Sequence, residues 1–249
     1  MEVRHKITYF FLALLIVVLV VGTIKSFTSG NVGLRVPTLT QAQKSKSVSQ
    51  PPISKNVHGT SYQPTKADLA NTNFVASGDL TKPGQFTVDS NGLATELQAR
   101  TDSNQLVTNG KVVYRILNVS IYENTARTDE SLQNARLAYS KPMLKNKFKT
   151  LVIEYMLANS NDMTITTDGI STVAFSNQDV ISTLNGLQND TNLANTGVAE
   201  GLTVTTGASA ILPANFPDKG QLTVQFASVK RAGTVDVLSK PAKGIQIKY

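Results

Sequence analysis

One stretch near the start of the chain limits the possible architecture more than any other feature. Residues 7–24 read ITYFFLALLIVVLVVGTI and contain no charged side chain. As a helix this stretch would be about 27 Å long, close to the hydrocarbon thickness of a bilayer. We therefore predict a membrane-spanning helix over residues 7–24, so that residues 1–25 form a transmembrane anchor with a short cytoplasmic tail.

Two other interpretations of this segment stay open beside the uncleaved anchor. A cleaved signal peptide usually has a shorter apolar region and a small-x-small cleavage site, and the best candidate site, Thr28-x-Gly30, matches poorly. A buried helix of a soluble domain would need an apolar enclosure, for which the rest of the chain is not hydrophobic enough. A lipid anchor is excluded because the chain has no Cys. The uncleaved anchor fits best.

The orientation of the anchor follows less from charge than from the rest of the chain. Arg4 and Lys6 precede the apolar segment, whereas Lys25 and Arg35 follow it, so the positive-inside rule decides little. The remaining residues are rich in Thr, Ser and Asn, poor in charge and free of Cys, as secreted domains often are. We predict a single-pass protein of the cell membrane with an extracytoplasmic C-terminal domain.

Residues 26–73 have the composition of a disordered basic linker. Gln, Ser, Lys, Thr and Pro dominate, and Pro37, Pro51, Pro52 and Pro64 interrupt any regular element. Apolar residues occur without a period, so the segment cannot bury enough surface to offset its ordering entropy. A flexible chain of this length would span roughly 40 Å, which would let the domain stand off the membrane.

The net charge of +7 is concentrated before the domain. Residues 73–249 contain sixteen basic and fifteen acidic side chains, so the domain lacks the basic face that a nucleic-acid-binding protein needs, and we predict no nucleic-acid partner. Lys44, Lys46 and Lys55 could hold the linker to anionic lipid or to an anionic wall polymer at low salt. The alternative is that they only solubilise a disordered segment.

Residues 74–249 have the alternating pattern of β-strands. Residues 111–123, 148–162 and 221–229 are rich in β-branched and aromatic residues. In the first run we expect two faces: Tyr114, Ile116, Asn118 and Ser120 on one, and Val113, Arg115, Leu117, Val119 and Ile121 on the other. In the later runs we expect Leu151, Ile153, Tyr155 and Leu157, and then Leu222, Val224 and Phe226, to face inward.

Turn signals separate these runs and set the fold class. They are Ser90-Asn91-Gly92, Asn109-Gly110, Asp168-Gly169, Asn185-Gly186 and Pro217-Asp218-Lys219-Gly220. Many short strands without a βαβ rhythm predict an all-β antiparallel β-sandwich. Two helical insertions are also predicted, over residues 129–139 and 177–187.

Five stretches of the domain carry a resemblance to a known family. They are NVSIYENTA, FKTLVIEYMLANSND, MTITTDGISTVAF, ASAILPANFP and GQLTVQFASV. In this order they resemble the immunoglobulin-like domain of unknown function found in Gram-positive lipoproteins and membrane-anchored surface proteins, which is related in fold to a secreted mycobacterial immunogenic protein. The resemblance covers residues 110–249. It implies an extracellular immunoglobulin-like sandwich with no established chemistry, and it supplies no functional residues.

The residue types that most catalytic sites use are missing from the domain. Both His residues, His5 and His58, precede it, and the chain has no Cys, so a Ser-His-Asp triad and a His- or Cys-ligated metal site are excluded there. Phosphate-binding glycine motifs are absent too. We therefore predict a cell-surface binding or assembly protein that is not an enzyme, with no catalytic, cofactor-binding or metal-binding residues. The expected partner is a cell-envelope protein or an anionic wall polymer.

Carboxylates leave two alternatives open. A pair of them could hydrolyse a cell-wall glycan, although Asp129 and Glu130 fit the start of a helix and Glu154 is expected to be solvated in mid-strand. Separately, Asn159, Asn161, Asp162 and Asp168 could supply oxygen ligands to calcium, but they lack the spacing of a calcium loop. Turn residues bonding their own backbone are the simpler interpretation of that cluster.

Overall fold

The computed structural model describes residues 61–249, with the exception of Gln178. Three helices occur in this part of the chain: α1 (Lys66–Ala70), α2 (Asp129–Ala138) and α3 (Asn192–Asn195). None of the helices among these residues is long and apolar enough to span a membrane. The predicted anchor over residues 7–24 and the first part of the predicted linker lie outside the described residues.

The strands form three antiparallel sheets. The largest has the order β1-β2-β4-β5-β10-β9, with β3 also paired to β4; the second has the order β14-β11-β7-β8, and the third β13-β12-β6. Their bounds are β1 (Phe86–Val88), β2 (Leu93–Asp102), β3 (Leu106–Asn109), β4 (Val112–Ala126), β5 (Lys147–Asn159), β6 (Ile165–Thr167), β7 (Ile170–Phe175), β8 (Val180–Ser182), β9 (Gln188–Asn189), β10 (Thr203–Leu212), β11 (Gln221–Phe226), β12 (Val229–Arg231), β13 (Val237–Ser239) and β14 (Ile245–Lys248). The all-β, antiparallel part of the fold prediction is confirmed.

One hydrophobic core joins the large sheet to the second sheet. The inward sets predicted on β5 and β11 are both fully buried. An aromatic cluster lies at the centre of this core: the rings of Tyr114 and Phe226 stack with centroids 3.9 Å apart, and the Tyr155 ring meets Phe226 edge-on at 5.1 Å. Such large rings account for much of the apolar area that a core removes from water.

The predicted faces of β4 are wrong beyond Leu117. Pairing with β5 runs from Ile116 opposite Tyr155 directly to Asn118 opposite Glu154, so Leu117 is an extra residue in the ladder. Such a β-bulge reverses the alternation that follows it. Val119 and Ile121 therefore join the main core, and Asn118 and Ser120 lie on the other face. Alternation alone does not indicate where a bulge falls.

The helix predicted over residues 129–139 is confirmed as α2. Its first turn is held by a capping box, because Thr128 and Ser131 each accept a hydrogen bond from the other's backbone N–H. Asp129 and Glu130 lie in the first turn, as expected for carboxylates at the positive end of a helix.

The helix predicted over residues 177–187 is wrong. This region contains β8, which pairs with β7, and then a turn. The side chain of Asn185 holds that turn, because its amide nitrogen donates to the carbonyl of Val180 at 3.0 Å and its oxygen accepts from the N–H of Ser182. Asn residues that bond nearby backbone favour turns over helices.

The last part of the predicted disordered linker, residues 61–73, is ordered instead. It contains α1, which begins with a capping box between Thr65 and Asp68. The Asp68 carboxylate is almost fully buried and accepts two hydrogen bonds from the Arg127 guanidinium, at 2.6 and 2.9 Å. This segment is attached by a paired charge rather than by an apolar stripe, so hydrophobic periodicity did not detect it. The ordered domain therefore begins before residue 74.

Candidate functional site

An open groove lies between the third sheet and α3. Its volume is about 770 Å³, and its lining is mostly hydroxyl, amide and charged side chains. The lining residues are Thr166, Thr167, Asp168, Ala194, Asn195, Lys230, Ala232, Gly233, Thr234, Val235 and Asp236. A surface of this composition suits a polar ligand that keeps contact with solvent.

Backbone pairing builds one wall of the groove. Lys230 of β12 pairs with Thr166 of β6, and with Val237 of β13 on its other side. Lys230 is therefore on the central strand of this small sheet. The turn between β12 and β13 is closed by the hydrogen bond from the N–H of Arg231 to the carbonyl of Asp236, at 3.0 Å.

A glycine allows the opposite wall to approach β6. Gly197, just after α3, has a φ of +77°, and a Cβ built on it would lie 2.3 Å from the carbonyl oxygen of Ile165. The neighbouring Val198 exchanges two backbone hydrogen bonds with Ile165, at 2.8 and 3.0 Å. Only glycine combines this backbone conformation with so close an approach, so it holds the loop that carries α3 against β6.

The charges of the groove are spread rather than paired. Asp168 follows β6 and Asp236 precedes β13, so β12 with Lys230 runs between them. Two strand spacings put β6 and β13 about 10 Å apart. None of the four ion pairs among the described residues includes a groove side chain. The carboxylates and the ammonium group are thus free to meet a ligand.

Two buried phenols lie near the groove wall. Neither Tyr114 nor Tyr155 makes a hydrogen bond of normal geometry through its hydroxyl with the described part of the chain. Burial raises the pKa of Tyr114 to about 12, and the hydroxyl of Thr167 offsets part of that rise. Burial also raises the pKa of Tyr155. Both groups are therefore neutral at physiological pH, where they cannot serve as bases.

The four residues considered as calcium ligands have different surroundings. Asn159 is buried, and its amide nitrogen donates to the carbonyls of Met163, Val198 and Ala199, at 2.9, 3.0 and 3.1 Å. Its side-chain oxygen accepts from the backbone N–H of Asn161 at 2.9 Å. Asn159 therefore joins two loops by hydrogen bonds.

Asp162 and Asp168 are both exposed, and of the four proposed ligands only Asp168 lines the groove. Among the described residues, no group of three or more His, Cys, Asp or Glu side chains is placed to hold a metal ion.

Glu154 differs from the solvated mid-strand carboxylate that we expected. It is half-buried and accepts a hydrogen bond of 2.6 Å from the side-chain nitrogen of Asn118. The oxygen of Asn118 in turn accepts from the hydroxyl of Ser120 at 3.2 Å. This network lies on the face of the large sheet away from the main core, and the bulge in β4 brings its members together.

The groove residues themselves were not predicted from the sequence, apart from Asp168. Thr166, Asn195, Lys230 and Asp236 are far apart along the chain and form no motif. Pairing of three short strands brings them together. The only local signal is the Gly233-Thr234 turn between β12 and β13.

Comparison of the chain with protein-family models, curated proteins and solved structures finds no match. The resemblance to the immunoglobulin-like surface domains therefore depends on the sequence stretches quoted above and stays a prediction.

Proposed function

We propose that this chain is a membrane-anchored cell-surface protein with a non-catalytic, immunoglobulin-like domain for binding or assembly at the cell envelope. The apolar segment at residues 7–24 would hold it in a single pass. The antiparallel β-fold of residues 61–249 is compatible with the proposed domain class. Its partner is an envelope protein or an anionic wall polymer.

The observation that carries this proposal is the open polar groove between the third sheet and α3. It presents Lys230 on the central strand of the third sheet. Asp168 directly follows one neighbouring strand, β6, and Asp236 directly precedes the other, β13. Unpaired charges of both signs on and beside one sheet can recognise a polar chain through several charge-assisted hydrogen bonds. They need no reactive group to do so.

A second function, glycan hydrolysis, is favoured by one observation: Asp168 and Asp236 line the same groove. Retaining glycosidases place their two carboxyl groups about 5 Å apart, and inverting enzymes place them about 6.5–9.5 Å apart. The strand carrying Lys230 runs between β6 and β13, so the strands next to the two aspartates are about 10 Å apart, which exceeds the retaining spacing. This arrangement supports binding rather than hydrolysis.

Binding can be tested with the full chain in detergent against wall glycan, teichoic polymer and solubilised envelope protein, each in a separate arm. We expect retention in one arm and a loss of affinity of about tenfold or more in Lys230→Gln/Asp236→Asn, because each removes a charge-assisted hydrogen bond. Lys243→Gln/Asp179→Asn, which changes two exposed charges outside the groove, should bind as the wild type does. Retention in no arm would contradict the proposal, and release of reducing ends from glycan would favour the hydrolase.

The proposed orientation predicts that protease added to intact cells removes the C-terminal domain. The domain would lie outside the membrane, where the protease can reach its exposed loops. Loss of a C-terminal epitope would be followed by immunoblot, with a cytoplasmic protein as the control that must survive. An epitope that persists until the cells are lysed would place the C-terminal domain on the cytoplasmic side and contradict the proposed orientation.

A further inference from the structure

A second surface of the domain combines exposed apolar side chains with unpaired lysines. It lies where α2 ends and includes a neighbouring turn of the second sheet. We define this basic–apolar surface by Leu137, Lys141, Met143, Lys145 and Leu184. Its three apolar members are 77%, 89% and 97% exposed, respectively.

Contacts join the turn after α2 to the segment that carries Leu184. The N–H of Ser140 donates to the carbonyl of Leu137 at 3.2 Å, and that of Leu144 donates to Lys141 at 3.0 Å, so the turn after α2 is tight. The side chain of Gln188 donates to the carbonyl of Ala138. A Cβ placed on Gly186 would lie 3.8 Å from the Cε of Lys141. The turn with Leu184 is therefore adjacent to Lys141.

The stretch of chain that supplies these lysines carries only basic charges, although the domain as a whole is nearly neutral. Residues 131–153 contain no Asp or Glu, but they contain Arg136, Lys141, Lys145, Lys147 and Lys149. Lys147 pairs with Glu123, and Lys149 pairs with Asp218. Lys141 and Lys145 take part in none of the ion pairs in the described part of the chain.

We propose that the basic–apolar surface docks on an anionic lipid bilayer. Leu and Met side chains gain free energy by leaving water for the acyl boundary, and lysines beside them gain from anionic headgroups. A polyanionic polymer would bind the lysines but leave the apolar side chains in water. An apolar protein surface would cover those side chains but leave the lysine charges without an anionic partner. This inference rests on the proposed function in one respect: the membrane anchor keeps this surface near the lipid.

The experiment uses the fact that the chain contains no Trp. Leu184→Trp therefore adds a single fluorescent reporter to the surface. Val235→Trp serves as the matched control. It adds a reporter at a residue that is 90% exposed, in the turn between β12 and β13. The full-length variants are reconstituted in vesicles with brominated acyl chains, made of phosphatidylcholine alone or with phosphatidylglycerol.

We expect quenching and a blue shift of Trp emission for Leu184→Trp on the anionic vesicles, and neither for Val235→Trp. Adding Lys141→Gln/Lys145→Gln to the Leu184→Trp chain should lower the docking constant about 30-fold, since each lysine near an anionic surface contributes about fivefold. Equal quenching at both reporters, no dependence on anionic lipid, or indifference to the lysine changes would overturn the proposal. So would a blue shift of the Leu184→Trp emission caused by teichoic polymer or envelope protein without lipid.

Flotation with neutral vesicles tests the proposed membrane anchor separately from the docking of the basic–apolar surface. A chain that does not float would contradict the anchor. Quenching on anionic vesicles would still decide whether the surface docks.

Discussion

Phe226→Ala is expected to lower the free energy of unfolding by about 4 kcal/mol, the largest effect of a single substitution that we predict. The Phe226 ring is completely buried. It stacks on Tyr114 from one sheet layer and meets Tyr155 edge-on. Truncation removes both aromatic contacts and leaves a cavity between the two layers that β-sheet backbones cannot close.

Urea denaturation of the full chain, followed by far-UV circular dichroism, would measure this change. Phe226→Leu is the matched control, because it keeps the position apolar and should cost only about 1.5 kcal/mol. A loss below about 1 kcal/mol for Phe226→Ala would mean that Phe226 does not join the two layers as described.

Arg127→Met is expected to cost about 3 kcal/mol at neutral pH, because it leaves the Asp68 carboxylate buried without its partner. The Arg127 guanidinium, and then the Thr65 hydroxyl, hold the pKa of Asp68 well below its ordinary value. A carboxylate with a lowered folded-state pKa stabilises the fold above its unfolded pKa of about 3.9 and loses that contribution as the pH falls towards the folded value. The wild type should therefore lose stability below about pH 4.

Two further measurements test the ion pair itself. Asp68→Asn/Arg127→Met should recover much of the loss of the single variant, because no unpaired charge then remains. It should also show a shallower fall in unfolding free energy between pH 4.5 and 2. Limited proteolysis should release residues 61–73 faster from Arg127→Met than from the wild type. A double variant as unstable as the single one, with an unchanged acid profile, would refute this role for the pair.

The strands of the main core could be predicted from the sequence because their period of two is a local property. In β5 and β11 every predicted inward residue is buried, since each strand has the main core on one face. The Asn109-Gly110 turn was predictable for a similar reason: Gly110 has a φ of +63°, which glycine adopts without strain. The capped start of α2 is equally local.

The candidate site could not be predicted in the same way. The groove combines β6, β12, β13 and α3, and their side chains meet only after strands that are distant in sequence have paired. No spacing in the chain marks Lys230 or Asp236. The basic–apolar surface had one visible signal, a long run without acidic residues, but its apolar partner Leu184 comes from a separate turn.

The sequence by itself determined the all-β class, the main inward faces, several turns and the absence of His and Cys from the domain, because each depends on composition or on neighbours along the chain. Only the tertiary structure decided where β4 changes face, which residues line the groove, and that Asp68 attaches residues 61–73 to the domain. Those features depend on one extra residue in a ladder and on a buried charge meeting a partner 59 positions away. Such long-range pairing has no period that a local pattern could reveal.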